Sequence, residues 1–290
     1  MKRTSRLWIA YLLIIVGTPS VMAGGLEPKE PVEAAGYYEK AVEHERAGRR
    51  KEAVEAYREA IRLRPDYVEA YNNLGILYAE LGQYEEAVES LRQAIHLKPD
   101  YATAHNNLGA IHTDLGRYRE AVEAFSLAIK LRPGYARAYN NLGKACVRLG
   151  RYDEAVAAFA QAARLEPGEA EAQHNLGYAN IKLGHYEKAV AALKQAVKLR
   201  ADYVAAYNSL GLAYAGLGLY AEAATYLRRA IQLGPDLAEP HLNLGALYLA
   251  LNRKGAALEQ YAVLKTLDQE MAQRLWRAIH QGGLLAATQR

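Results

Sequence analysis

The sequence predicts an all-α solenoid of seven 34-residue helix-turn-helix repeats with a C-terminal capping helix. Three observations predict it. Leu-Gly pairs recur at Leu74-Gly75, Leu108-Gly109, Leu142-Gly143, Leu176-Gly177, Leu210-Gly211 and Leu244-Gly245, each 34 residues after the one before. Alanines hold two columns in the same register, from Ala53 to Ala257 and from Ala60 to Ala230. Prolines close the units at Pro65, Pro99, Pro133, Pro167 and Pro235, with Ala201 standing where another would fall. A fixed period of this length is one supersecondary unit stacked on copies of itself. Such arrays present extended binding surfaces rather than catalytic clefts.

The chain opens differently. Lys2, Arg3 and Arg6 precede an apolar run from Leu7 to Val16, then Gly17-Thr18-Pro19, and Val21-Met22-Ala23 supplies small residues at a cleavage site. This pattern predicts a signal peptide over residues 1–23, cut after Ala23, with a periplasmic or secreted destination. The run is shorter than the ~20 residues a spanning helix needs; the alternative is an uncleaved inner-membrane anchor. Residues 24–33 read as a linker. Without Lys2, Arg3 and Arg6 the 36 basic residues become 33 against 32 acidic ones, a net charge of +1. No nucleic-acid footprint remains.

The repeats are expected at 34–67, 68–101, 102–135, 136–169, 170–203, 204–237 and 238–271. Within the second, Tyr71, Leu74, Leu77, Tyr78 and Leu81 give a first helix one apolar face. Gly82 supplies a left-handed residue to end it, as do Gly116, Gly150, Gly184 and Gly218. Ala87, Val88, Leu91, Ala94 and Ile95 form the face of the second helix, and Pro99 stops it. The terminal repeats depart from the pattern, with Lys40-Ala41 replacing Leu-Gly in the first. After the seventh, Met271, Leu275, Trp276 and Ile279 make an amphipathic capping helix over 268–281, N-capped by Asp268. A tail of 282–290 follows.

The tyrosine column (Tyr84, Tyr118, Tyr152, Tyr186, Tyr220), the Leu-Gly pairs, the two alanines and the proline together resemble the tetratricopeptide repeat (TPR) family over residues 34 to 271. That resemblance implies an α-α superhelix whose first helices line an inner, concave wall.

No catalytic constellation is present in the sequence. The eight histidines include no pair at zinc-site spacing and there is no cysteine cluster, so neither metal nor cofactor is expected. His105 and His241 fill the slot of Tyr71, while His44 and His112 fill the slot of Tyr78, so packing explains them. Cys146, the only cysteine, also falls in the Tyr78 slot and is expected to be a buried, inert thiol.

One ladder resists a packing explanation. Before each Leu-Gly stand Asn73, Asn107, Asn141, Asn175, Ser209 and Asn243, with Asn72, Asn106, Asn140 and Asn208 in a second column. Asparagine is a poor helix former. The ladder is similar to that of the repeat domain of O-linked N-acetylglucosamine transferases, without any catalytic domain. That resemblance implies that the amides grip the backbone of an extended peptide. Bonding between neighbouring repeats is the other use such amides could have. Flanking slots pass from acidic (Glu69, Glu80, Asp114) through basic (Arg137, Lys144, Arg148, Lys182) to apolar (Leu212, Ala215, Leu242, Ala246, Leu249). Lys144, Arg148 and Lys182 form the candidate anion-binding group.

The sequence thus predicts a non-enzymatic exported scaffold whose partner is a protein or peptide segment. No nucleic acid or cofactor is expected, and a membrane only if the signal stays uncleaved. A membrane-anchored assembly factor and a substrate-recruiting subunit of a separate glycosyltransferase are the alternatives. Replacing Asn107, Asn141 and Asn175 by alanine is expected to abolish partner capture with thermal stability nearly unchanged.

Overall fold

The computed structural model describes residues 29–281, and all elements among them are helices. The chain divides into two compact units, before and after the Arg117–Tyr118 bond, which lies inside the third predicted repeat. In the first unit α1 (Lys29–Arg46) pairs with α2 (Arg50–Leu63) and α3 (Val68–Glu80) with α4 (Tyr84–Leu97), followed by α5 (Ala102–Asp114). The second unit begins with α6 (Tyr118–Leu131). Its pairs are α7 (Ala136–Arg148) with α8 (Tyr152–Leu165), α9 (Ala170–Lys182) with α10 (Tyr186–Leu199), α11 (Val204–Gly216) with α12 (Tyr220–Leu233), and α13 (Ala238–Ala250) with α14 (Lys254–Leu267). Helix α15 (Gln269–Gln281) packs against α13 and α14.

The 34-residue beat becomes a pair of helices with fixed lengths. From α3 onward every first helix has 13 residues and every second helix 14. The Leu-Gly glycine sets how closely the two pack. A Cβ built on Gly75 would lie 2.8 Å from Leu91 Cγ and 3.1 Å from the Ala87 carbonyl oxygen, so only hydrogen fits there. In the fourth repeat Gly143 faces Phe159 in the same way, the ring standing where α4 carries Leu91. Phe159 is buried beside Cys146, whose small thiol occupies the Tyr78 slot. A large side chain on one helix compensates for a small one on its partner, as close packing requires.

The turn glycines adopt the left-handed conformation expected of them, Gly82 at φ 77° and Gly150 at φ 73°. The amide after each reaches back to the helix, as Gln83 N–H does to the Tyr78 carbonyl at 2.8 Å. This is the Schellman closure that satisfies otherwise orphaned carbonyls. In the seventh repeat Asn252 takes this position at φ 56°; asparagine is the non-glycine residue that best tolerates it. Asp268 caps α15 as expected, its Oδ1 accepting from Met271 N–H at 2.9 Å. Ala272, Leu275 and Ile279 are buried by that helix, while Trp276 lies exposed on its outer side.

One expectation is corrected. Residues 29–33, read as linker, form the first turns of α1. The first turn of a helix tolerates a proline such as Pro31 because its amides lack intrahelical partners anyway. The predicted signal peptide, residues 24–28 and the 282–290 tail lie outside the described residues.

Candidate functional site

The asparagine columns lie on the first helices of each unit, and the structure pairs them. In the first unit Asn107 Nδ2 on α5 donates to Asn72 Oδ1 on α3 at 2.9 Å. Asn72 Nδ2 in turn donates to Asn73 Oδ1 at 3.1 Å. Asn73 Nδ2 donates to Tyr38 Oη at 2.9 Å, with Tyr57 Oη at 3.3 Å. Tyr57 then donates to Glu45 Oε2 at 2.6 Å. Burial and the neighbouring Glu45 raise the Tyr57 phenol well above its usual range, and burial pushes Tyr38 up to about 12. Both hydroxyls keep their protons at neutral pH and end the chain of amides as neutral groups. Asn106 lies buried beside Asn107.

The second unit repeats the arrangement. Asn175 Nδ2 donates to Asn140 Oδ1, and Asn243 Nδ2 to Asn208 Oδ1, each at 2.9 Å. Asn141 stands half-buried beside Asn140. Between these rungs the asparagines are exchanged for His174 and Ser209, whose Nε2 and Oγ are 3.2 Å apart. Each of these bonds joins residues 35 apart, one repeat plus one residue. The residue before Leu-Gly in one repeat reaches back to the residue two before Leu-Gly in the previous one.

Further slots of the ladder hold other residues. The first repeat carries Glu39 rather than asparagine before its Lys40-Ala41 pair. In the seventh, the slot two before Leu-Gly holds the buried Leu242. Histidine in one column is matched by serine in the next. The sequence contained this coupled substitution, and the 35-residue separation between columns was its legible signal. Glu45 and Glu171 were missed because they belong to neither column, and Tyr38 because the second column's slot in the first repeat carries a phenol in place of an amide.

The charged candidates are already engaged. Lys144 on α7 forms an ion pair with Glu171 on α9. Burial opposes ionisation of Glu171, but Lys144 and hydrogen bonds from Asn140 and Asn175 outweigh it and hold the carboxyl below its ordinary range. The Arg148 guanidinium lies 4.8 Å from the centre of the Tyr118 ring, and Lys182 Nζ 5.4 Å from that of Tyr178. Glu80, expected on the acidic wall, pairs with Arg50 at 3.0 Å. Leu242 belongs to the core, not to the apolar stretch of a groove. The structure therefore shows Lys144 bonded to a carboxylate and Arg148 and Lys182 each against a tyrosine ring.

The remaining residues singled out in the sequence behave as packing groups. His105, His112 and His241 are buried. His105 Nε2 lies 2.9 Å from the Pro99 carbonyl oxygen, and His241 Nδ1 2.8 Å from Gln260 Oε1. Cys146 is fully buried, which pushes its thiol up. Among the described residues no group of three or more His, Cys, Asp or Glu is placed to hold a metal. No described helix is long and apolar enough to cross a membrane.

Paired helices of constant length from α3 onward, the close contacts at Gly75, Gly143, Gly177 and Gly211 and the left-handed turn residues define a class: stacked helical-repeat proteins. The chain belongs to the tetratricopeptide repeat family. The family model described as the Cilia and flagella-associated protein 70 C-terminal domain matches residues 68–276, and a TPR repeat model matches residues 46–82. No curated protein sequence matches it. Among solved structures it is similar to PilW, described as a widely conserved type IV pilus biogenesis factor. The two are 25% identical with a TM-score of 0.65, the alignment covering 72% of this chain and 98% of PilW. It shares its fold with YrrB, described as a TPR protein with an unusual peptide-binding site, at 22% identity and a TM-score of 0.58, covering 64% and 96% of the two chains. A tetratricopeptide repeat protein from Parabacteroides merdae ATCC 43184 has the same fold at 18% identity and a TM-score of 0.65, covering 87% and 99%.

Proposed function

We propose that the protein is an exported, non-enzymatic TPR adaptor that holds an extended peptide or protein segment along its first-helix face. The observation that carries this reading is the set of half-buried asparagines on first helices of each unit: Asn73 and Asn107 in the first, and Asn141, Asn175 and Asn243 in the second. An amide has two N–H donors and an oxygen with two lone pairs. A bond to the neighbouring repeat uses only part of that capacity and fixes the side chain in one orientation. A row of oriented amides suits a peptide backbone, whose donors and acceptors recur at a regular interval. Each such bond contributes about 0.5–1.5 kcal/mol net, so several together bind a segment with little demand on its side chains. YrrB, with its described peptide-binding site, and PilW, with its role in pilus biogenesis, support an adaptor on this fold. The basic start, apolar run and Val21-Met22-Ala23 site of the sequence support export.

The pairing changes how this reading is tested. Alanine at Asn107 strands the Oδ1 of the buried Asn72, so the triple variant at Asn107, Asn141 and Asn175 is expected to lose stability as well as its partner. A control is therefore required. Leu91→Ala creates a cavity between α4 and α3 without removing an amide, and lowers stability by about 2–5 kcal/mol. Capture of an exported-fraction protein is expected from wild type and from Leu91→Ala, each assayed well below its melting temperature, and not from the triple variant. Equal capture by the triple variant would overturn the proposal. Sequencing the mature N-terminus checks export: Gly24 is expected, and Met1 would favour an anchored assembly factor.

A further inference from the structure

Four residues of the second unit form a figure that the binding proposal alone does not explain. Asn140 and Lys144 stand one turn apart on α7, and Glu171 and Asn175 one turn apart on α9, each pair on one helix face. Asn140 bonds Asn175, while Lys144 bonds Glu171. Both are first helices in the same position of successive repeats, so these two bonds run along opposite diagonals of the quadrilateral. The ion pair therefore crosses the amide rung and sets the Glu171 carboxylate beside both amides, which favour its charged form. A row of donors assigned above to a bound segment is here already occupied by a side chain of the protein.

The occupant is exchangeable. Glu171 is 43% exposed at its side chain and Lys144 46%, and ion pairs reached by water to that extent are weak. The equivalent first-turn positions are Glu69, Thr103, Arg137, Ala205 and Glu239. Glu171 is the carboxylate among them that lies within reach of a lysine one repeat back.

We propose that Glu171 is the built-in occupant of a seat for an acidic side chain, which Lys144 and the Asn140–Asn175 amides offer to an aspartate or glutamate of the bound segment once Glu171 swings away. This rests on the peptide-binding reading and gives it a chemical preference: a segment that crosses α7 and α9 with a carboxylate is favoured over one with a neutral group. Glu171 sets the threshold, because a neutral segment gains nothing by displacing it.

The test uses two blocked probe peptides, Ac-(Gly-Ser-Glu)4-NH2 and its glutamine counterpart Ac-(Gly-Ser-Gln)4-NH2, titrated by fluorescence anisotropy into the full chain. Glu171→Ala is expected to bind the glutamate probe up to about fivefold more tightly than wild type, the gain that removing a water-exposed ion pair of this kind allows. Its affinity for the glutamine probe should not change, and adding Lys144→Ala should remove the gain. Because the substituted side chain is half-exposed, melting temperatures should stay close to wild type. Equal affinities of wild type and Glu171→Ala for the glutamate probe would overturn the seat and leave the backbone-binding reading standing. So would equal tightening for both probes. Failure of either probe to bind any form would overturn both.

Discussion

At the residue scale the first question is what one amide does. Asn107 satisfies a buried oxygen of Asn72, so the asparagine ladder is a structural joint before it is anything else. Leaving such an acceptor without a partner costs about 1–3 kcal/mol, whereas replacing both partners can be nearly neutral. A double-mutant cycle with Asn72→Leu and Asn107→Ala should thus show a coupling of about 1 kcal/mol or more by urea denaturation; the core tolerates leucine in this column at Leu242. Additive effects would mean that the bond contributes nothing. His174 is the titratable member of the same column. Burial lowers its pKa, as does Arg200, against the opposing influence of Asn175, Glu171 and the Ala205 backbone. Its ring also lies 5.0 Å from that of Tyr203. A histidine with a depressed folded pKa binds protons more readily when unfolded, so its contribution is intact above about pH 6.5 and is lost as pH falls through the folded value. His174→Asn restores the ladder's own residue and should shrink the drop in melting temperature between pH 7.5 and pH 5. An unchanged drop would assign the pH dependence to other groups.

At the element scale, the helix pair is held together by the absence of a side chain. Alanine has the better intrinsic helix propensity by about 1 kcal/mol, yet at Gly75 its methyl would press on Leu91 and on the Ala87 carbonyl. Overpacking of this kind costs about 1–3 kcal/mol, and the nearby backbone oxygen cannot rotate away. Gly75→Ala is therefore expected to destabilise despite the propensity gain, read as a lowered urea midpoint; a raised midpoint would mean that α3 and α4 separate more easily than their spacing implies. The helices themselves were legible in the sequence because each apolar face repeats at helical spacing. Their ends were equally legible, because glycine and proline act locally. The start of α1 was not, since Pro31 and the charged residues around it suit either a linker or a first helical turn.

At the scale of the whole molecule, each repeat buries its faces on its neighbours and the last needs a substitute. Helix α15 supplies it with Ala272, Leu275 and Ile279, while Trp276 and His280 stay outside with their rings 3.6 Å apart. Burying a leucine or isoleucine side chain contributes about 1.5–3 kcal/mol. Truncation after Leu267 should therefore lower stability by several kcal/mol and expose apolar surface that promotes association, measured by melting temperature and light scattering. A truncated chain as stable and monodisperse as the full one would show that α15 is dispensable.

The sequence by itself determined the repeat, the helix pairs, the turns and the membership of the tetratricopeptide family. All of these rest on short-range periodicity, which a linear pattern records directly. It also displayed the asparagine columns, but their spacing allowed two uses. Only the tertiary structure decided that Asn107 reaches Asn72, that Asn175 reaches Asn140, and that Glu171 lies across that rung on Lys144. Those contacts join residues 27 to 35 apart. Which of several polar neighbours a side chain meets at that distance depends on how far one helix is shifted along the next. That shift is set by packing, which no single stretch of the sequence contains.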